Sequence, residues 1–164
     1  MGRAFASRQS YAQLLQGYLA MYRPFEKQME ALPAETHQLL DWPSRRKQNL
    51  LEQDLKWLQP VPLEHQLSVQ LPDLGDINAT LGALYVVEGS CLGGQVLYRR
   101  LQESLALDRE HGASFFYGYG EHTGAMWKAF TCLLRQQVTD CVQAADAACA
   151  MFQIFEQTLV QSLA

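Results

Sequence analysis

The stretch that most constrains the fold is residues 81–101, LGALYVVEGSCLGGQVLYRRL, which has helical apolar spacing and yet holds glycines in its interior. The apolar positions that give this spacing are Leu81, Leu84, Tyr85, Val87, Leu92, Val96 and Leu97. Gly89, Gly93 and Gly94 lie among them, and each glycine inside a helix costs ~1 kcal/mol relative to alanine. The stretch therefore predicts either close packing on a neighbouring helix, or a bent helix whose bare backbone approaches something flat and large.

Length and composition predict one folded domain that spans residues 1–164. Hydrophobic residues make up 48% of the chain and charged residues 18%, so a sizeable core is expected. The net charge of −4 does not favour binding to nucleic acid, which needs a basic surface. No run approaches the ~20 apolar residues of a membrane span, and the N-terminus lacks the apolar core of a secretory signal. We therefore expect a cytoplasmic protein with neither nucleic acid nor a membrane as partner.

The cysteines support the same location. Cys91, Cys132, Cys141 and Cys149 show no CxxC spacing, and all fall in segments that are predicted to be helical. We expect reduced thiols rather than a zinc site or a disulfide framework.

Helical spacing recurs along the rest of the chain and no convincing strand pattern appears, so the predicted fold class is all-α. The predicted helices cover residues 7–31, 41–58, 73–106, 123–138 and 140–163. Ser7 is the expected N-cap of the first helix, and Asp73 or Asp76 that of the third. Pro24 lies inside the first helix, where it either kinks that helix or starts another. The last helix is expected to turn inward Ala144, Ala145, Ala148, Phe152, Phe155 and Leu159.

Two groups of charged residues have competing interpretations. Arg45, Arg46 and Lys47 form a basic cluster that is most simply a solvated face, with a carboxylate or phosphate contact as the alternative. Glu88 stands in an otherwise apolar turn, so a buried Glu88 would need a hydrogen-bond partner. For Glu88 a structural tie is favoured over acid catalysis.

Two motifs of this chain resemble those of a known family and follow each other in the same order as in that family. They are GALYVVEGSCLGGQVLYRRL at residues 82–101 and FFYGYGEHTGAMWKAF at residues 115–130, and they resemble the bacterial heme oxygenases, especially those found beside bacteriophytochromes. NLLEQDL at residues 49–55 and SYAQLLQGYL at residues 10–19 fit the same pattern more loosely. The resemblance covers nearly the whole chain.

This resemblance implies an all-helical, multi-helix domain in which heme lies between two helices, the distal one kinked at its glycines. Gly89, Gly93 and Gly94 would form the distal wall, because a side chain there would occupy the space of heme or oxygen. Ser90 would organise water near the bound oxygen. Lys128 would reach a heme propionate, or else be a solvated lysine. The residues expected to pack around the pocket are Phe115, Phe116, Tyr117, Tyr119 and Trp127.

The implied reaction is the oxidative cleavage of heme, which acts as substrate and cofactor, to biliverdin, carbon monoxide and iron. It would use O2 and an external electron donor, a ferredoxin or a reductase. A bacteriophytochrome is a further expected partner.

The chain departs from the family pattern at the iron ligand. The family places its proximal histidine on a helix before the segment that matches residues 10–19, but only nine residues precede Ser10 and none is histidine. That helix is therefore expected to be missing, either because the recorded start is late or because a natural short form lost iron ligation. Its loss would expose an apolar face and favour self-association.

Other residues are poor replacements for that ligand. Among His37, His65, His111 and His122, all in or beside predicted loops and helix ends, His122 is the first choice because it adjoins the second motif. Cys91 stands beside the distal surface, which is the wrong side for a proximal ligand. No metal ligand is assigned.

Three functions follow from the sequence. The first is a biliverdin-producing heme oxygenase. The second is a non-catalytic tetrapyrrole-binding or regulatory module without the proximal ligand. The third is a helical interaction protein with no ligand, against which the glycine density of residues 81–101 argues.

Overall fold

The computed structural model describes residues 2–63 and 67–164. Within those ranges the regular elements are helices, and the one strand-like feature is an isolated bridge between Asp108 and Gly112. The α-helices are α1 (Arg8–Glu30), α2 (Ala34–Leu40), α3 (Trp42–Arg45), α4 (Gln48–Leu58), α5 (Ile77–Leu105), α6 (Ser114–Tyr117), α7 (Thr123–Gln137) and α8 (Cys141–Ser162). Short 3-10 turns cover Gly2–Phe5 and Gly120–His122. The all-α prediction is confirmed.

Side-chain caps fix where the three longest helices begin. Ser7, Asp76 and Asp140 each accept a hydrogen bond from a first-turn backbone N–H of α1, α5 and α8, respectively. Ser7 is the predicted cap, and Asp76 is the correct one of the two alternatives for α5. Pro24 lies inside α1, and the helix continues through it.

The single helix predicted over residues 41–58 is wrong. The chain forms α3 and α4 instead, and Arg46 between them has an extended backbone with φ −65° and ψ 136°. The cause is Glu26 on α1, whose Oε1 accepts the backbone N–H groups of Lys47 at 2.6 Å and Gln48 at 2.7 Å. A carboxylate from another helix therefore caps α4, and spacing within residues 41–58 cannot reveal it.

The inward face predicted for α8 is wrong in part. Phe155 is buried as expected, but Ala145 is exposed and Phe152 is 63% exposed. The buried positions of α8 are Ala147, Met151, Phe155, Thr158 and Ser162. Because α8 carries small or apolar residues on several sides, its hydrophobic pattern does not fix its rotation.

The helix α5 is the centre of the packing. It runs unbroken from Ile77 to Leu105, through Gly89, Gly93 and Gly94, and packs against α8 and α7, while α1 packs against α4 and α8. Gly82 permits the contact between α5 and α8, because a Cβ at this position would collide with the backbone carbonyl of Ala144. The bend at the glycines stays a prediction. The helices α1 and α5 thus both rest on α8, and side chains of all three face one cavity.

Candidate functional site

A cavity of about 990 Å³ is lined by residues of α1, α5 and α8, together with Ala4, Phe5 and the two phenylalanines of α6. Pockets for small molecules and cofactors occupy ~300–1,000 Å³, so this cavity lies at the upper end of that range. Most of its lining side chains are aliphatic or aromatic. The cavity therefore suits a large and mostly apolar ligand.

Three of the four glycines of α5, Gly89, Gly93 and Gly94, lie in the wall of this cavity. A Cβ at Gly93 would meet no atom within 4 Å, so a side chain there would enter open space. A Cβ at Gly89 would contact the Trp127 ring at 3.6 Å, and one at Gly94 the carbonyl oxygen of Phe116 at 3.4 Å. Gly93 therefore presents bare backbone to the cavity, whereas a Cβ at Gly89 or Gly94 would make an ordinary van der Waals contact, so close packing does not require glycine at these two positions.

Aromatic rings form a second surface of the cavity. The ring of Tyr18 lies 5.0 Å from that of Phe115, 5.7 Å from that of Phe116 and 6.1 Å from that of Phe155, measured between centroids. All four side chains are at least nine-tenths buried. Burial raises the pKa of Tyr18 to about 12, with a smaller contribution from Cys91, so its hydroxyl stays protonated at neutral pH.

Asp54 on α4 holds the aromatic surface in place. Its carboxylate accepts the backbone N–H and the hydroxyl of Ser114 at 2.8 and 2.7 Å, and the backbone N–H of Phe115 at 2.8 Å. Burial raises the pKa of Asp54, and these hydrogen bonds oppose that rise. The one-turn helix α6 is thereby capped by a distant side chain, which sets the positions of its two phenylalanines. The motif at residues 115–130, which covers most of α6, gives no indication that Asp54 is the partner of this helix. The sequence alone therefore did not predict the contact.

A small polar patch adjoins the glycine wall. Ser90 lines the cavity, and its hydroxyl donates to the carbonyl oxygen of Val87 at 2.7 Å. The hydroxyl oxygen of Tyr22 is buried without a hydrogen-bond partner among the described residues. Burial raises the pKa of Tyr22, and Cys91 raises it further, so this hydroxyl stays protonated. Buried polar groups are rarely unpaired, so the patch is suited to a polar atom of water or ligand.

Behind the polar patch lies a buried charge cluster, which we define as Arg45, Lys47, Glu88 and Tyr119. The Arg45 guanidinium contacts the Glu88 carboxylate at 2.6 Å, and the Tyr119 hydroxyl donates to the same carboxylate at 2.8 Å. Lys47 donates to the Tyr119 hydroxyl at 2.8 Å and lines the cavity. Glu88 is 2% exposed and has the hydrogen-bond partners that a buried Glu88 was expected to need, and its role as a structural tie stays a prediction.

The interpretation of residues 45–47 as a solvated face is wrong for two of the three. Arg45 and Lys47 are 5% and 2% exposed, and only the Arg46 side chain reaches solvent, where it pairs with Glu30 at 2.7 Å. The alternative interpretation, in which these basic residues contact a carboxylate, is correct. The physical reason is Glu88, a buried carboxylate that attracts both cations. In the sequence, the one feature that indicated a buried cationic partner was Glu88, because it stands in an otherwise apolar turn.

Exposed apolar side chains surround the opening of the cavity. Leu92 and Val96 on α5 are 42% and 67% exposed, and Phe152 and Val160 on α8 are 63% and 66% exposed. All four line the cavity, so the exposed half of the apolar stripe on α5 belongs to the ligand site rather than to the core. Self-association through this surface stays a prediction.

The remaining predicted residues lie away from the cavity. Lys128 is exposed on α7, one position after the cavity-lining Trp127. His122 is exposed at the end of a 3-10 turn, and His111 pairs with Asp108 on the surface. His37 contacts the carbonyl oxygen of Met29 at 2.7 Å. None of these three histidines lines the cavity.

His65 falls outside the described residues. Among the residues that are described, no cluster of His, Cys, Asp and Glu side chains has the arrangement needed to hold a metal ion. The described helices also include none with the length and apolar character needed to cross a membrane.

Comparison with known proteins gives consistent results. A heme oxygenase from Xanthomonas campestris pv. campestris (strain 8004) is 31% identical over 166 aligned residues, which cover 97% of this chain and 94% of that protein. The crystal structure of the NO- and CO-bound heme oxygenase from Neisseria meningitidis has the same fold, with a TM-score of 0.82 at 24% identity. It aligns with 98% of this chain and 79% of its own. The model of the heme oxygenase family matches residues 1–161. With its helical fold and its glycine-walled apolar cavity, the chain belongs to the heme oxygenase family.

Proposed function

We propose that this protein binds heme in the cavity between α1, α5 and α8 and cleaves it with O2 to biliverdin, carbon monoxide and iron. The observation that carries the proposal is Gly93, where bare backbone in an apolar wall leaves open space that any side chain would reduce. Membership of the heme oxygenase family supports the same reaction. No comparison favours the non-catalytic alternative.

The described residues fit the porphyrin ring by shape and polarity. Bare backbone at Gly93 would leave room for the ring beside α5, and the rings of Tyr18, Phe115 and Phe155 bound the apolar space that it would enter. When bound, heme supplies the iron and the oxidisable macrocycle. Iron ligation is assigned to none of the described residues, because the described histidines lie elsewhere.

The polar residues have distinct proposed roles. Ser90 accepts a hydrogen bond from water at the glycine wall, since its own O–H is donated to the Val87 carbonyl oxygen. Tyr22 offers a protonated, unpaired hydroxyl to the same space. Together they hold water where O2 would react. Lys128, exposed near Trp127, remains the proposed contact of a propionate that extends out of the cavity.

Two partners belong to this proposal. Oxidation by O2 consumes electrons from outside the site, so an external donor, a ferredoxin or a reductase, is required. A bacteriophytochrome would take the biliverdin product as its chromophore. A cytoplasmic location suits both partners.

Hemin titration followed by reduction tests the proposal. We expect a saturable Soret shift with one hemin per chain, and then, on adding ferredoxin, ferredoxin reductase and NADPH in air, the absorption band of biliverdin. Catalase is included so that free peroxide does not destroy the heme, and hemin in buffer alone is the control. Saturable binding without biliverdin would support the non-catalytic module instead. The absence of saturable binding would favour the third function, a helical interaction protein with no ligand.

A further inference from the structure

Lys47 is an unusual component of the cavity wall. Its side chain is only 3% exposed, and among the described residues it is the one lysine or arginine that lines the cavity. A buried ammonium in a largely apolar wall is costly unless other groups compensate its charge.

Neighbouring groups hold the Lys47 ammonium in place through three hydrogen bonds. It donates to the Tyr119 hydroxyl at 2.8 Å and to the carbonyl oxygen of Arg45 at 3.2 Å, while the Glu88 carboxylate lies farther away at 3.5 Å. The ammonium also lies 4.1 Å from the centroid of the Tyr119 ring. Burial and the charge of Glu88 raise the pKa of Tyr119, so this neighbour stays neutral. Each of the three N–H groups of Lys47 therefore has an acceptor, and its contact with Glu88 is the longest of the three.

The charge cluster carries one more positive than negative charge. Glu88 makes its short ion pair with Arg45, at 2.6 Å, and Arg45 also donates to the carbonyl oxygen of Leu40 at 2.6 Å. Glu26 accepts the backbone N–H of Lys47 and pairs with Arg46, so its charge is engaged on the far side of the chain. The surplus positive charge of the cluster thus falls on Lys47, the member that lines the cavity, whereas the carboxylate Glu156 in the same lining is exposed to solvent.

We propose that Lys47 favours negatively charged ligands over neutral ones on the iron of heme bound in this cavity. The inference rests on the proposed function, because it needs heme in the cavity. A positive charge in a wall of low dielectric stabilises negative charge that develops on a bound ligand, and Lys47 is held there before any ligand arrives. Arg45, Glu88 and Tyr119 act as positioning residues for it.

Ligand affinities of the hemin-loaded protein test this role without measuring activity. Azide is the anionic probe and imidazole the neutral one, both titrated against the ferric protein by absorption. Lys47→Met should weaken azide binding about tenfold and leave imidazole affinity unchanged, and Lys47→Arg should keep most of the azide affinity. Glu88→Gln raises the net charge of the cluster and should strengthen azide binding, which is an effect of opposite sign. Lys56→Met, an exposed lysine on α4, is the matched control and should change neither affinity.

The outcomes separate this inference from the proposed function. If Lys47→Met weakens azide and imidazole equally, or weakens neither, Lys47 has no charge-selective role and the inference is overturned. Should Lys47→Met fail to fold, unchanged azide affinity in Glu88→Gln would overturn it as well. Failure of the unmodified protein to bind hemin would instead overturn the proposed function, and this inference with it.

Discussion

The Arg45 guanidinium lies 2.6 Å from the Glu88 carboxylate, and the two side chains are only 4% and 1% exposed. This ion pair joins α3 to α5 immediately before the glycine wall begins at Gly89. Removing one member of a buried pair leaves the other charge unpaired in the protein interior, which is far more costly than losing an exposed pair. The pair therefore ties the position of the wall to the stability of the fold.

Arg45→Met should lower the free energy of unfolding by about 3–5 kcal/mol, because Glu88 then loses its closest counter-charge. Combining it with Glu88→Gln should cost less than the sum of the two single changes. Urea denaturation followed by circular dichroism measures both effects. The control is the exposed pair of Arg23 and Glu52 at 3.3 Å, where Arg23→Met should cost under ~1 kcal/mol. Equal losses at the buried and exposed pairs would contradict the prediction.

Gly93→Leu should abolish saturable hemin binding while the protein stays folded. The leucine side chain would enter the open space of the cavity, and leucine has a higher helix propensity than glycine by ~0.8–1 kcal/mol. Gly124→Leu is a matched control, because a Cβ at Gly124 on α7 also meets no atom within 4 Å, and Gly124 does not line the cavity. Soret titration and thermal unfolding measure the two properties. Unchanged hemin affinity in Gly93→Leu would exclude the glycine wall as the heme-binding surface.

These residues also show which features can be predicted from sequence. The caps Ser7 and Asp76 are local, since each bonds to N–H groups within the next turn. The cost in helix propensity of Gly89, Gly93 and Gly94 marks this stretch in the sequence, and all three line the cavity, while their contact with heme stays a prediction.

Long-range contacts account for what the sequence did not predict. The break between α3 and α4 depends on Glu26, which is 21 positions away from Lys47 in the chain. Likewise the burial of Arg45 depends on Glu88, 43 positions away. Neither partner is indicated by periodicity within a segment. The rotation of α8 was also missed, because small residues on several of its sides leave the buried face to be decided by packing against α5 and α1.

Asp54 and Asp108 should give pH dependences of opposite sign. Burial raises the pKa of Asp54, so the folded protein holds that proton more tightly than the unfolded chain. The contribution of Asp54 to the free energy of unfolding is complete below its pKa in the unfolded chain, which is ~3.9. This contribution is lost as pH rises through the raised pKa of the folded protein. The advantage of the unmodified protein over Asp54→Asn should therefore shrink as pH rises, and then stay constant.

Asp108 provides the contrast. A hydrogen bond from His111 lowers the pKa of Asp108, and the backbone N–H of Glu110 lowers it further. The stabilisation by Asp108 is present above its pKa in the unfolded chain. It is lost as pH falls through the lowered pKa of the folded protein. The advantage over Asp108→Asn should therefore grow as pH rises. Urea denaturation at a series of pH values measures both differences, and slopes of the same sign for the two variants would refute the assignment.

Cys91 should be the least reactive cysteine of the folded protein. The thiolate is the nucleophile, and burial raises the pKa of Cys91 although Lys47 opposes the shift. Cys132, Cys141 and Cys149 are exposed. Iodoacetamide at pH 8, followed by peptide mass spectrometry, should label these three first and Cys91 at least about tenfold more slowly.

Hemin should slow the labelling of Cys91 further and leave the other three rates unchanged, because Cys91 is the one cysteine among the described residues that lines the cavity. In urea all four cysteines should react at similar rates, which controls for differences in intrinsic reactivity. Labelling of Cys91 that is as fast as that of Cys141 in the folded protein would show that the cavity wall is open to reagent. A hemin effect that is equal at all four sites would mean that heme binds without entering the cavity.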